Sequence, residues 1–194
     1  MQYVITPYAE QNVPPVYYWE SAFSSTELDY LSKIALSSRE DASTHSLTST
    51  VVNKDIRRSK ITWMKCDSDK EWVFERLSHV VSAVNANVYR FNLAGFGEPI
   101  QMTLYESNDS GTYGWHSDFG SQISRKLSLV MQLSDPSEYE GGNLEILIGN
   151  KPVTLRKQRG LIALFPSYVT HRVTPVTSGF RTSLVSWVSG EPFR

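Results

Sequence analysis

The sequence predicts an α+β fold that is mainly β: an antiparallel sandwich or barrel with helices packed on one side. Helical signals all lie before residue 90. From residue 99 onward the chain breaks into short apolar runs, separated by turn residues at 108–111, 135–136, 141–142, 149–150 and 178–179. The chain has 194 residues, 40% hydrophobic and 20% charged, enough for one domain with a real core. No repeat or linker divides it. Residues 1–194 are therefore read as a single domain, with a helical and lid part over about 1–98 and a β core over about 99–190.

Residues 1–19 are rich in Pro and Tyr and predict an irregular lead-in with a short strand. Ser24 then offers an N-cap. Glu27 completes a capping box with it, and Phe23 and Leu28 form a hydrophobic staple. Leu28, Leu31, Ile34 and Ala35 recur at helical spacing behind that start. Residues 37–54 are dominated by Ser, Thr and charge, and read as a solvated loop or a mobile flap over a site. Residues 56–64 predict a strand whose alternation puts Arg57, Ser59, Ile61 and Trp63 on one face. Residues 68–88 predict a second helix, capped by Ser68 with Glu71 and striped by Val73, Leu77, Val80, Val81, Val84 and Val88. His79 in that helix and His45 in the polar stretch have no paired carboxylate nearby and read as structural. The expected β core has strands near 99–106, 127–133, 143–148, 161–165, 171–174 and 181–188.

Composition excludes several function classes. A net charge of −1 gives no general attraction to nucleic acid. No apolar run approaches the roughly 18–20 residues that cross a bilayer, and the N-terminus lacks the pattern of a signal peptide. Cys66 is the only cysteine, which rules out internal disulfides and thiolate-rich zinc sites. A reducing compartment, the cytoplasm, fits. Oligomeric state is not legible.

Chemistry concentrates in two stretches. In a strand or at its edge, residues two apart face the same way, so His116 and Asp118 can both point inward while Ser117 points away. His171 lies 53 positions after Asp118, just past the apolar run that ends at Pro166, where a closed β fold can return it to the same mouth. Two histidines and one carboxylate are the ligand set of a non-haem Fe(II) site with open positions. The same set can bind Zn(II), but a zinc hydrolase would need a general base and would leave Arg181 unexplained. Arg181 stands ten positions beyond His171, with Ser183 on the same strand face. A buried arginine is costly without an anion, and a dicarboxylate co-substrate is the partner expected for its planar fork of donors.

These features together resemble the Fe(II)/2-oxoglutarate-dependent dioxygenases, in their prolyl 4-hydroxylase-like branch. The matching elements are the H-x-D motif, the distal His171, Arg181 ten positions on, Gly141-Gly142 before Asn143-Leu144-Glu145-Ile146, and the segment from Gly160 to Ser167. The resemblance implies a double-stranded β-helix core of the jelly-roll, cupin-like kind. It implies that His116, Asp118 and His171 bind Fe(II), and that Arg181 binds the far carboxylate of 2-oxoglutarate with Ser183 assisting. Tyr105 falls where relatives have a tyrosine touching the co-substrate, and Tyr113 would line the same pocket. Gln132 takes a position where some relatives carry a tyrosine on that carboxylate, and its amide could donate in its place. Trp187 falls where relatives have a tryptophan near the substrate, and Arg57, Ser59 and Trp63 match a strand beside the peptide groove. Tyr105, Tyr113 and Trp187 also read as plain core aromatics. The implied activity is hydroxylation of a proline-containing peptide or protein, using O2, with ascorbate as reductant. A free amino acid, a small metabolite or another protein side chain is the alternative substrate. A non-catalytic binding module would be expected to have lost a metal ligand or the arginine, and both are present.

Overall fold

The computed structural model describes residues 13–38, 40–45, 50–120 and 123–192. In chain order the elements are β1 (Tyr17–Trp19), α1 (Ser25–Leu36), β2 (Glu40–Asp41), β3 (Thr44–His45), β4 (Thr50–Val51), β5 (Arg57–Arg58), β6 (Lys60–Met64) and α2 (Glu71–Val84). There follow β7 (Leu93–Phe96), β8 (Ile100–Glu106), β9 (Thr112–His116), β10 (Arg125–Gln132), β11 (Tyr139–Gly141) and β12 (Leu144–Ile148). The last four are β13 (Lys151–Thr154), β14 (Ile162–Pro166), β15 (His171–Val173) and β16 (Val176–Gly190).

The strands form a double-stranded β-helix. The larger sheet runs β1-β14-β10-β16-β8-β6-β2, with β7 and β11 pairing the two ends of β16. The smaller runs β13-β12-β15-β9-β5, and β3 and β4 pair apart from both. Alternation explains the layering. Leu127, Leu129 and Met131 of β10 and Ile162 and Leu164 of β14 point outward, into a cluster with Leu28, Leu31, Ala35, Val73, Leu77 and Val80 of the two helices. Their neighbours Val130, Ala163 and Phe165 point inward to Ile146 of the smaller sheet. Each fully buried aliphatic side chain contributes on the order of 1.5–3 kcal/mol. On β16 the inward set is Arg181, Ser183, Val185 and Trp187, so one strand feeds both the scaffold and the site.

The start of α1 follows the sequence: Ser24 accepts from the Glu27 amide at 3.3 Å, and Glu27 accepts from the Ser24 amide at 2.7 Å. Several expectations need correction. The second helix starts at Glu71 with no side-chain cap. Asp67 rather than Ser68 organises the turn before it: its backbone carbonyl accepts from the Lys70 and Glu71 amides, and its carboxylate holds the Lys70 ammonium at 2.6 Å. The same helix stops being α-helical at Val84 and continues as a π-helical turn, Asn85–Tyr89, which seats the Tyr89 hydroxyl on the Leu164 carbonyl at 2.8 Å. Residues 178–179 make no turn. Gly179 lies within β16 at φ +68°, because β11 approaches so closely that a Cβ there would sit 2.1 Å from the Glu138 carbonyl oxygen. The stretch 37–54 is not a plain loop, since it contains β2, β3 and β4; residues 39 and 46–49 of it lie outside the described residues. Finally, the strand expected over 56–64 is two strands. β5 pairs with β9 of the smaller sheet and β6 with β8 of the larger, so the chain changes sheets at Ser59.

Candidate metal and co-substrate site

A cleft opens between the two sheets. Tyr113, His116 and His171 line it from the smaller sheet, and Tyr105, Arg181 and Trp187 from the larger. His116 ends β9 directly across from His171, which begins β15. Asp118 follows two residues after His116, held back over the cleft because its amide and that of Phe119 both donate to the Ser167 carbonyl, at 3.0 and 2.9 Å.

The donor set fits a metal ion. One ligand atom from each of His116, Asp118 and His171 lies within 4.8 Å of the others. His116 Nδ1 meets the Gly114 carbonyl at 2.8 Å, and His171 Nδ1 meets the Val169 carbonyl at 2.9 Å. A carbonyl only accepts, so both Nδ1 atoms carry the proton and both Nε2 lone pairs are free for a metal. Those Nε2 atoms face Asp118, at 4.0 Å from His116 and 3.5 Å from His171. Asp118 Oδ2 also accepts from Ser128 Oγ at 2.6 Å, and Ser128 is itself 3.1 Å from Ser167 Oγ. Burial, with the neighbouring His171 second, lowers the His116 pKa to about 3. Burial pushes the Asp118 pKa up, but His171, His116 and the Ser128 hydrogen bond together hold it below the ordinary carboxylate value. A neutral imidazole and an ionised carboxylate are the states a metal requires.

The deeper end is built around Arg181, which is only 2% exposed. It is the cross-strand partner of Tyr105, whose ring centroid lies 5.5 Å from its guanidinium carbon. Its Nη1 donates to Ser183 Oγ at 3.3 Å, and among the described residues no carboxylate pairs with it. Gln132 does not reach this cleft. Its amide donates to the Tyr139 hydroxyl at 2.8 Å and to the Ser134 carbonyl at 3.3 Å. Tyr139 is the residue beside Arg181: burial raises its pKa, and the Arg181 charge opposes the rise. Sequence reasoning missed Tyr139, which sits on a three-residue strand with no motif around it.

Toward the mouth stand Arg57, Trp63, Trp187 and Arg125. Trp63 is 38% exposed, 6.4 Å from Trp187 between ring centroids. Tyr113 stacks on His116 at 3.6 Å and carries Arg57 at 4.5 Å. Ser59 lies behind Arg57 and accepts from its Nε at 2.9 Å, rather than lining the cleft itself. Arg125 was not legible as a site residue, because it reads only as the charged start of an apolar strand. It lies over the Trp187 ring at 3.9 Å, grips Glu98 at 2.7 and 2.5 Å, and comes within 3.9 Å of Asp118. His79 is exposed on α2, away from the cleft.

The model of the 2OG-Fe(II) oxygenase superfamily matches residues 100–189, the stretch that carries His116, Asp118, His171 and Arg181. This stretch is similar to the core of the 2OG-Fe(II) oxygenase superfamily. The chain is also similar to PKHD-type hydroxylases. That of Synechococcus sp. strain CC9902 is 44% identical over 80 residues, 39% of this chain and 35% of the relative. That of Synechococcus sp. strain JA-2-3B'a(2-13) is 31% identical over 116 residues, 56% of this chain and 51% of the relative. The chain thus spans about a third to a half of the length of the curated relatives it matches. In fold it resembles a Pseudomonas putida prolyl-4-hydroxylase, with a TM-score of 0.70 at 19% identity over 92% of this chain and 94% of that one. It also resembles a Trichoplax adhaerens prolyl hydroxylase solved with a hypoxia inducible factor peptide fragment, with a TM-score of 0.77 at 16% identity over 92% and 85%. The oxygenase family implies Fe(II), 2-oxoglutarate and O2. Among the described residues no helix is long and apolar enough to cross a membrane.

Proposed function

We propose that this protein is an Fe(II)- and 2-oxoglutarate-dependent dioxygenase that hydroxylates prolyl residues of a peptide or protein. The observation that carries the proposal is the pairing of two features in one cleft: the inward-facing ligand atoms of His116, Asp118 and His171, and the buried Arg181, which has no counter-ion among the described residues. In this reading the three ligands hold Fe(II), whose chemistry when bound is the activation of O2 against a substrate C–H bond. Arg181 takes the far carboxylate of 2-oxoglutarate, with Ser183 and Tyr139 beside it and Tyr105 walling the pocket. Gln132 acts through Tyr139, whose hydroxyl it orients. Ser128 and Ser167 hold Asp118 in register with the two imidazoles. Trp63, Trp187, Arg57 and Tyr113 receive the substrate at the mouth, where they restrict its approach to the metal. The residues before the core serve the same domain, a reading supported by β6 extending the larger sheet and β5 the smaller. Ascorbate as reductant and a cytoplasmic location complete the reading, the latter supported by a chain with a single, exposed cysteine. The family resemblance and the likeness to prolyl hydroxylases support proline as the target.

The test incubates the protein with Fe(II), 2-oxoglutarate and proline-containing peptides. Succinate formation together with a 16-Da gain mapped to proline is the expected result. Succinate without any modified proline, across a broad peptide set, would remove proline from the reading.

A further inference from the structure

We infer that the substrate carries a carboxylate and that Arg57 is its receptor; the inference rests on the activity proposed above. Arg57 is only 7% exposed and its guanidinium lines the cleft. Every acceptor it meets is neutral: Ser59 Oγ at 2.9 Å, Gln101 Oε1 at 2.7 Å and the Ser43 carbonyl at 3.4 Å. A guanidinium has five N–H groups, so two remain after these three bonds. Its guanidinium carbon lies over the Tyr113 ring, 4.5 Å from the ring centroid. No carboxylate among the described residues lies within ion-pair distance of it.

The charge balance of the cleft leads to the same conclusion. Three guanidinium groups line it, those of Arg57, Arg125 and Arg181. Two carboxylates answer them, Asp118 in the cleft and Glu98 in its bidentate grip on Arg125. Fe(II) and 2-oxoglutarate would bring equal and opposite charge. One positive charge is therefore left over in a water-poor space, where an uncompensated ion is expensive. Arg125 has Glu98, and Arg181 would have the co-substrate. Arg57 is the group without an anion, and it stands one aromatic ring away from His116. A carboxylate there would hold the target carbon close to the metal. Its source is the target residue's own terminal carboxylate, as in a free amino acid or a C-terminal proline, or an acidic side chain next to the target.

Trp63 and Trp187 in the cleft wall provide a fluorescence readout of binding that does not depend on turnover. The probes are an acetylated tripeptide ending in Pro as the free acid, the same peptide as its C-terminal amide, free L-proline, and an amidated peptide with Glu next to Pro. Each is titrated anaerobically into the protein loaded with Fe(II) and 2-oxoglutarate. At least one carboxylate probe should bind about tenfold or more tighter than the neutral amide, a difference of about 1.4 kcal/mol, and which one does so identifies the source. Arg57→Gln should erase the preference, while Arg57→Lys should keep part of it. Thermal melts of both variants check that the fold survives. Equal binding of all carboxylate and amide probes to the wild type would overturn the inference. So would a preference that Arg57→Gln leaves unchanged in a folded protein. Absence of succinate formation by the wild type with every probe would instead count against the dioxygenase reading, and the binding comparison would still be decided separately.

Discussion

His116 and His171 are cross-strand partners, and each hydrogen-bonds through Nδ1 to the carbonyl two residues before it. The smaller sheet thus fixes both the separation of the two imidazoles and their tautomers before any metal arrives. His116→Ala or His171→Ala leaves two ligands of three. We expect loss of stoichiometric Fe(II) or Co(II) binding with a fold that still melts cooperatively. Retention of wild-type metal affinity by either variant would show the ligand assignment to be wrong.

Ser128 gives the corresponding test one shell out. Its hydroxyl donates to Asp118 at 2.6 Å from a position with no access to the cleft. Ser128→Ala should weaken metal binding by roughly 10–100-fold, the usual effect of losing an outer partner of a ligand. Ser128→Thr should recover most of it. Metal titration of the three proteins decides, and identical isotherms would reduce Ser128 to a packing residue.

Arg181→Ala should raise the 2-oxoglutarate requirement by about 30-fold or more, since breaking a buried charge pair costs roughly 2–5 kcal/mol. Fe(II) affinity should hardly move. Arg181→Lys should fall between, keeping the charge but not the fork. Tyr139→Phe should give a smaller rise. Gln132→Ala should resemble it, because Gln132 reaches the site only through the Tyr139 hydroxyl. Co-substrate titration of succinate formation is the measurement. A Gln132→Ala effect much larger than that of Tyr139→Phe would contradict the relay.

The metal-free protein should be acid-sensitive. An unfolded histidine takes up a proton near the ordinary value of 6.5, whereas folded His116 does so only at about 3. Between those values the unfolded chain binds more protons, so stability rises with pH and is lost as pH falls through that window. Asp118, held below its ordinary value, adds a loss of the same sign at the acid end. The melting temperature of the metal-free wild type should therefore drop between about pH 7 and about pH 4, and His116→Ala should flatten the slope. Parallel melting curves for the two proteins would exclude His116 as the source.

Much of this was legible because the relevant signals are local. Ser24 and Glu27 are three residues apart, and the apolar stripe of the second helix needs no tertiary knowledge. His116, Asp118, His171 and Arg181 were legible as a spaced set of rare chemistry. What was not legible depends on contacts made at a distance. Ser68 has the right type for a cap, but Asp67 forms the turn first. Gly179 looks like a turn and is instead the only residue that fits beside Glu138. Tyr139 and Arg125 carry no motif, and their importance comes from β16, which brings Arg181 and Trp187 to them. The sheet change at Ser59 was also hidden, because an alternating pattern looks the same whichever sheet each half joins.

The length and position of β16 bear on how the protein is made. This 15-residue strand lies between β10 and β8 and also pairs with β11 and β7. All four of those partners precede it in the chain. During synthesis the ribosome therefore releases β8 and β10 with unpaired backbone edges before the strand that joins them exists. Until β16 arrives, the nascent chain has no closed larger sheet, no Arg181 and no Trp187. Long-range pairing of this kind is slow and leaves edges open to foreign strands. Yield in the cell should then depend on chaperones that shield the nascent chain, and substitutions in β16 should show as lost expression before they show as lost activity.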